Sequence, residues 1–441
     1  MIQLSEHFNY KKLIRFTMPS IIMLVVTSVY GVVDGFFVSN FAGKTSFAAV
    51  NFIMPFLMIM GCVGFMFGTG GGALIAKTIG EGDREKAKQL FSMIVFASAL
   101  CGVLLAITGL LIIEPVAKLL GAEDRLLSDS LRYGRIILIA IPFYVLQFEF
   151  QCLFATAQKP KLGLFVTVAA GCTNVVLDAL FVAVFKMGLT GAAVATALSQ
   201  FVGGLIPLIY FCCKNSSLLR FTKFGFNGKA LCKTVTNGSS ELMSTISMSI
   251  VGMLYNFQLL KYAGENGVAA YGVLMYVNLV FQAVFLGFSV GIAPVISFNM
   301  GANNFEELKN LRKKCLMMIG VFSVAMFVLA ETLAKPLSYV FVGYDGELTD
   351  LTVRAFYIYS CCFLFSGFSI FGSSFFTALN DGLVSALIAF LRTLVFQVIA
   401  VLCLPLLFKL DGIWIFIVVA EIMSLFVTLF FFITKRKKYN Y

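Results

Sequence analysis

Shifted by 221 residues, the chain falls onto itself without a gap. Ala42-Gly43 meets Ala263-Gly264, Ala48-Ala49 meets Ala269-Ala270, Gly70 meets Gly291 and Gly80 meets Gly301. Glu85, Lys88 and Leu90 meet Glu306, Lys309 and Leu311. Much further on, Pro115 still meets Pro336, Thr156-Ala157 meets Thr377-Ala378, and Gly191 meets Gly412. A period of half the chain is a duplicated bundle rather than a solenoid. In a membrane protein, such a duplication places a site between two lobes.

The chain belongs in a membrane. Hydrophobic residues make up 60% of 441 and charged residues only 12%, far from the balance of a soluble chain of this length. The few charges punctuate apolar runs near or above the ~20 residues that a helix needs to cross a bilayer. Twelve spans are expected, near 13–39, 46–77, 90–113, 128–155, 162–185 and 190–213, and again near 233–262, 267–298, 311–334, 349–377, 383–408 and 411–434. The first is too long and too polar at its flanks for a cleaved signal peptide. Gly31, Pro19, Pro55, Pro142 and Pro294 interrupt spans, which neighbouring helices tolerate by satisfying the freed backbone.

Lysine and arginine orient the chain. With the first residues in the cytoplasm, inner segments carry 22 of the 33 basic residues, outer segments carry 10, and Arg392 lies within a span. The positive-inside rule therefore places both termini in the cytoplasm. The net charge of +11 is the footprint of this topology facing anionic lipid, and it needs no nucleic acid. Each half holds an even number of spans, so the two enter from the same side. The expected fold is all-α and integral to the membrane: twelve transmembrane helices in two six-helix bundles, related by a pseudo-two-fold axis along the membrane normal. The expected division is an N-lobe over residues 1–213, a cytoplasmic inter-lobe linker over 214–232 and a C-lobe over 233–441 with a short basic tail. No cysteine falls in an outer loop, so reduced thiols are expected, and one histidine with no Cys-x-x-Cys pair leaves metal or haem chemistry without ligands.

An ionised side chain inside hydrocarbon costs ~2.5–3.5 kcal/mol even on a lenient scale, so each one needs a reason. Asp34, Glu149, Asp178, Glu241, Arg392 and Glu421 are the offenders. Under the 221-residue shift they meet Tyr255, Ile370, Ile399, Ser20, Gly171 and Gln200. The scaffold was duplicated and the charges were not, so their role is lobe-specific. Asp34, Asp178 and Thr196 stand five to seven residues from the outer ends of their expected spans, roughly 8–10 Å deep at ~1.5 Å per residue. Asn174 lies one helical turn from Asp178 on the same face. Two carboxylates, an amide and a hydroxyl at one depth form an expected cation or proton site, with Na+ as the metal that such oxygens suit. The competing role is hydrogen-bonded glue between helices.

Arg392 and Glu421, on consecutive spans at similar depth, are expected to form a structural ion pair. Glu149 and Glu241 stand in the inner halves of their spans, one per lobe. With Tyr30 and Tyr255 they are candidates to line a substrate cavity, against the alternative that local hydroxyls cap the two acids. The run Gly68-Thr69-Gly70-Gly71-Gly72 lacks the Lys-Ser/Thr of a phosphate loop and lies inside a span, so it reads as close helix packing.

The run GTGGGALIAKTIGEGDREKA from Gly68 to Ala87, its echo GIAPVISFNMGANN from Gly291 to Asn304, and the six-plus-six layout resemble the multidrug and toxic compound extrusion (MATE) family, in its bacterial branch. The resemblance covers nearly the whole chain. It implies a cation site at Asp34, Asn174, Asp178 and Thr196, and a bend of the first helix at Pro19. The implied protein is not an enzyme. It is a monomeric antiporter of the bacterial cytoplasmic membrane that exports small amphipathic, mostly cationic compounds in exchange for H+ or Na+, without a cofactor. Related flippases of lipid-linked sugars share the architecture. They would want a basic cavity, and Arg392 is the single intramembrane base against five acids. An intramembrane aspartyl hydrolase could also use two aspartates, but Asp34 lies in Gly-Val-Val-Asp rather than Gly-x-Gly-Asp, and hydrolysis has no need of the duplication.

Overall fold

The computed structural model describes residues 3–38, 41, 44–343 and 345–441. Ala42-Gly43, one pair of the internal repeat, and the expected end of the first span at residue 39 lie outside the described residues. In the first half, six helices follow one another: α1 (Tyr10–Phe37), α2 (Lys44–Gly80), α3 (Arg84–Leu119), α4 (Asp124–Thr156), α5 (Pro160–Asp178, continued by a π turn, Ala179–Val184) and α6 (Gly188–Cys212). In the second half the backbone stays nearly continuous through two sharp bends. Gly228–Gly301 breaks at Gly264 (φ 60°, ψ −151°) into α7 (228–263) and α8 (265–301). After α9 (Phe305–Val342) and α10 (Gly346–Ala378), Gly382–Thr434 breaks at Lys409 (φ 51°, ψ −127°) into α11 (382–408) and α12 (410–434). A short basic helix, α13 (Arg436–Tyr439), follows. α7 is the least apolar of the twelve, with Ser239, Ser240, Ser244, Thr245, Ser247 and Ser249 along it.

These helices form two six-helix bundles, and the repeat is visible in matched local geometry. Gly82 (φ 91°) and Asn303 (φ 54°) are repeat-mates in the same left-handed turn, a conformation open to Gly and, among other residues, best tolerated by Asn and Asp. The next residues, Asp83 and Asn304, both cap the following helix, accepting from Lys86 N at 3.0 Å and Glu307 N at 3.2 Å. Most helices run past their expected spans, because their polar first turns carry such caps beyond the apolar stretch. The expected linker also shortens: Asn227 caps α7, so 228–232 is helical.

Glycine joins the lobes. A Cβ on Gly80 would stand 2.1 Å from Phe298 O, and one on Gly301 would stand 2.0 Å from Lys77 O. Residues 77 and 298 are themselves repeat-mates, so the contact is reciprocal within one chain, as across a two-fold interface. Likewise, a Cβ on Gly70 would meet Thr234 O at 2.0 Å, and one on Gly291 would meet Ser20 Cβ at 3.0 Å. On Gly238 it would meet Met66 O at 1.9 Å, and on Gly287 Ile21 Cα at 2.6 Å. The backbones touch because no side chain intervenes. These contacts run from mid-membrane to the end of the bundle that carries Lys77, Arg84, Lys86 and Lys309, here called the basic end. Towards the other end, a Cβ on the repeat-mates Gly31 and Gly252 meets nothing within 4 Å.

The first residues of the chain do not stay with their own lobe. Leu4, Phe8, Leu13 and Phe16 belong to the hydrophobic core of the second bundle. Glu307 on α9 accepts from Phe8 N at 2.9 Å and meets His7 Nδ1 at 2.6 Å, while Lys314 Nζ donates to Phe8 O at 2.7 Å. The tail docks on the same bundle: Tyr439 and Lys438 both reach Asp381 Oδ2, at 2.5 and 3.3 Å, and Tyr441 packs edge-on against Phe375.

Candidate cation site

Inside the first bundle, α1, α5 and α6 bring together the four residues expected from depth. Asp34 is 6% exposed and Asp178 is 0% exposed, so both carboxyls are withdrawn from solvent and lipid. Thr196 Oγ1 donates to Asp34 Oδ1 at 3.4 Å, and Asn174 Nδ2 donates to Thr196 Oγ1 at 3.4 Å. Both contacts are long for hydrogen bonds, so the oxygens are loosely held. The carboxyl of Asp178 lies within interaction distance of that of Asp34, and among the described residues no lysine or arginine accompanies either. Neither oxygen of Asp178, nor Oδ1 of Asn174, accepts a hydrogen bond from the protein.

Tyr133 on α4 completes the ring of oxygens. It is fully buried, its hydroxyl makes no hydrogen bond within the protein, and it faces Asp34, Thr196 and Asp178. Its signal in the sequence was its position five residues inside the expected fourth span, the depth of the others, but a tyrosine in an apolar run reads as core. Tyr30, one turn before Asp34, turns into the same bundle, where its hydroxyl interacts with Gln147 on α4 and its ring lies against Gly171. Immediately after Asp178 the helix widens into the π turn Ala179–Val184. π turns recur at functional sites because the extra residue re-aims neighbouring side chains.

Buried polar atoms without partners are costly, so five oxygen-bearing groups around one point, three of them (Asp178, Asn174 and Tyr133) with unpartnered oxygens, make a candidate place for something small and positive. Two carboxyls, an amide oxygen, a hydroxyl and a phenol fit Na+, a hard ion that takes oxygen ligands. A proton shared between the two carboxyls fits equally well, since like charges so close cannot both stand unscreened. Pro19 lies within α1, four turns from Asp34. The helix runs without a break through it, although the ring removes one backbone hydrogen bond and leaves the helix easier to bend there.

The remaining charged candidates separate. Arg392 Nε reaches both oxygens of Glu421, at 3.0 and 2.9 Å, and Arg392 Nη2 reaches Oε1 at 2.9 Å, a forked pair inside the second bundle. Arg392 stands in a further π turn, Leu391–Val395, and its charge also reaches Glu241. Glu241 lines a cavity of about 20 Å³ between the lobes with Thr69, Ala73, Pro294 and Thr377, which is room for a water molecule.

Glu149 does not line a cavity. It is 0% exposed between α3 and α4, where the Ser98 hydroxyl donates to it, so a neighbouring hydroxyl rather than a substrate accounts for its place. Tyr255 does not line one either. It is fully buried among Tyr271, Trp414 and Phe416, and its hydroxyl donates to Ile413 O at 2.9 Å. At the mirror position of Asp34, the second lobe has built an aromatic core.

The whole arrangement has close relatives in shape. The multidrug export protein MepA of Staphylococcus saprophyticus is 23% identical over 92% of this chain and 88% of its own length. A crystal structure of MATE in complex with MaL6 superposes with a TM-score of 0.93 at 24% identity, covering 98% of both chains. An outward-facing MATE family transporter of the MOP superfamily superposes with a TM-score of 0.92 at 24% identity, over 98% of this chain and 97% of its own. At these identities the structures establish the fold. The model of the MatE family matches residues 19–180 and 242–402, one stretch in each six-helix bundle, and the chain belongs to that family.

Proposed function

We propose that this protein is a secondary antiporter that exports small amphipathic, mostly cationic organic compounds across the bacterial cytoplasmic membrane in exchange for H+ or Na+. The named activity of its relatives, multidrug export, supports the substrate class. The observation that carries the coupling is the Asp34–Asp178 pair, buried together with no cationic side chain among the described residues to neutralise it. The reading includes both termini in the cytoplasm, a monomer as the working unit, and no resident cofactor or nucleic-acid partner. The split of basic residues expected from the sequence, 22 in inner segments against 10 in outer ones, supports that orientation.

In this mechanism the lobes close at the basic end through their glycine contacts, and the cation site faces the outer half of the membrane. Asp34, Asp178, Asn174, Thr196 and Tyr133 take up the ion. The oxygens draw together around it, α1 bends near Pro19, and the inter-lobe cleft loses affinity for the exported compound. Ion and compound then oppose each other through a coupling free energy that acts equally in both directions. Glu241, at the floor of the cleft beside Arg392, is the acid placed to meet a cationic compound. A lipid-linked saccharide would require a basic cleft instead, and Arg392 is already held by Glu421.

Efflux of a fluorescent organic cation from cells tests the reading. Asp34→Asn and Asp178→Asn are each expected to lower efflux at least tenfold at equal expression. Undiminished efflux in both variants would remove the site assignment.

A further inference from the structure

The repeat makes a second comparison available at the basic end. On α3, Phe91 and Ser92 are covered by the inter-lobe segment: Phe221 packs on Phe91, and Thr222 N donates to Ser92 Oγ at 2.9 Å. Their repeat-mates on α9 are Arg312 and Lys313. There the tail covers only one side, with Arg312 over the ring of Tyr441 at 5.3 Å. The other side remains a groove of about 540 Å³ lined by Lys309, Arg312, Lys313, Leu316, Met317 and Arg436.

The groove holds four cations and almost no compensation. Lys309 is paired with the exposed Glu306 at 3.1 Å. Arg312, Lys313 and Arg436 have no acidic partner among the described residues, and Arg312 Nε is buried without a hydrogen bond. Arg312 and Arg436 are close enough to repel each other. Unpaired like charges that converge are unfavourable unless an anion joins them. Below the groove, Met317, Val321, Val324 and Val328 form one exposed apolar stripe down α9, each between 51% and 58% exposed. Their spacing keeps them on one helical face.

We propose that this groove binds the phosphate of an anionic phospholipid, with an acyl chain lying along the Met317–Val328 stripe. Guanidinium forks suit phosphate, and basic pockets between helices at a membrane surface suit lipid head groups. The stripe favours a lipid over free phosphate, because a soluble anion gains nothing from it. The bound lipid bridges α9 and α13, fastening the tail to the second bundle. The site has no counterpart in the first lobe, where protein fills the equivalent surface.

Native mass spectrometry of the full-length protein in mild detergent tests this. The probes are phosphatidylglycerol, phosphatidylcholine of the same acyl chains, and inorganic phosphate as competitor. Wild type is expected to retain one phosphatidylglycerol in preference to phosphatidylcholine. Lys313→Gln with Arg436→Gln, both at exposed positions, is expected to weaken retention about thirtyfold, the effect of two surface cations at ~1 kcal/mol each. Arg84→Gln with Lys86→Gln, on the covered lobe, is expected to change nothing. Equal retention of both lipids, an unchanged Lys313/Arg436 double variant, or displacement by millimolar inorganic phosphate would each overturn the proposal. Lipid retention is read without transport, so its failure is distinguishable from failure of the antiport reading.

Discussion

At the residue scale, cost explains what is visible. A charge in hydrocarbon is expensive enough that Asp34, Asp178, Arg392 and Glu421 stand out in the bare sequence, and the structure brings the first two together and the last two together. Tyr133 did not stand out, because a tyrosine in an apolar run, unlike a charge, is ordinary there, and its role depends on which way α4 faces. Tyr255 misled for the opposite reason. It was expected with Tyr30 to line a substrate cavity, but Trp414, Tyr271 and Phe416 around it are tertiary neighbours that no spacing announces.

The Arg392–Glu421 pair yields a quantitative expectation at this scale. Its side chains are 15% and 2% exposed, so Glu421→Gln leaves a largely sequestered guanidinium without its partner. Breaking such a pair from one side costs about 3–5 kcal/mol, whereas replacing both partners with apolar groups is often near neutral. Thermal unfolding of purified protein should show Glu421→Gln strongly destabilised and the double replacement Arg392→Leu with Glu421→Leu recovering most of the loss. A double variant as unstable as the sum of the two singles would mean that the residues act independently.

At the scale of elements, helix existence and order were legible from apolar runs, and helix ends were not. Caps such as Asp83, Asn227 and Asn304 extend helices beyond the apolar stretch by hydrogen bonds that hydropathy does not see. The π turns after Asp178 and at Arg392 depend on which carbonyls neighbouring helices leave free, and they carry no local signature. The glycines fared better, since the run Gly68–Gly72 reads as close packing, and its Gly70, with the repeat-mates Gly291, Gly80 and Gly301, proves to lie in the inter-lobe contact. Gly301→Val places a methyl-bearing carbon where only 2.0 Å separates an added Cβ from Lys77 O. Overpacking of that kind costs ~1–3 kcal/mol, here charged against the conformation closed at the basic end. The variant is expected to be extracted intact and to lose most efflux, as is its repeat-mate Gly80→Val. Gly252→Ala, which meets nothing, is expected to match wild type. Full efflux from both valine variants would show that the lobes do not need this contact.

At the scale of the whole molecule, one chain uses a symmetric frame for an asymmetric task. The reciprocal contacts of residues 77, 80, 298 and 301 keep two like bundles in register, while the oxygens of the candidate cation site stand in the first bundle. The second bundle spends the equivalent volume on an aromatic core and a buried ion pair, and it receives the chain's first residues through Phe8 and Glu307. This division was legible as soon as the acids failed to repeat at a shift of 221 residues. What the shift did not reveal is that the opening segment crosses to the other bundle, because a contact between residues 300 apart leaves no periodic trace.

Counter-transport in liposomes tests the central claim most directly. Purified protein would be reconstituted, a fluorescent organic cation supplied, and pH and sodium gradients imposed separately. Wild type should move the compound against the flow of one of these ions, and Asp34→Asn and Asp178→Asn should each abolish the response to that gradient. Gradient-driven movement in both variants at the wild-type rate would contradict the assignment of this carboxyl pair as the seat of coupling.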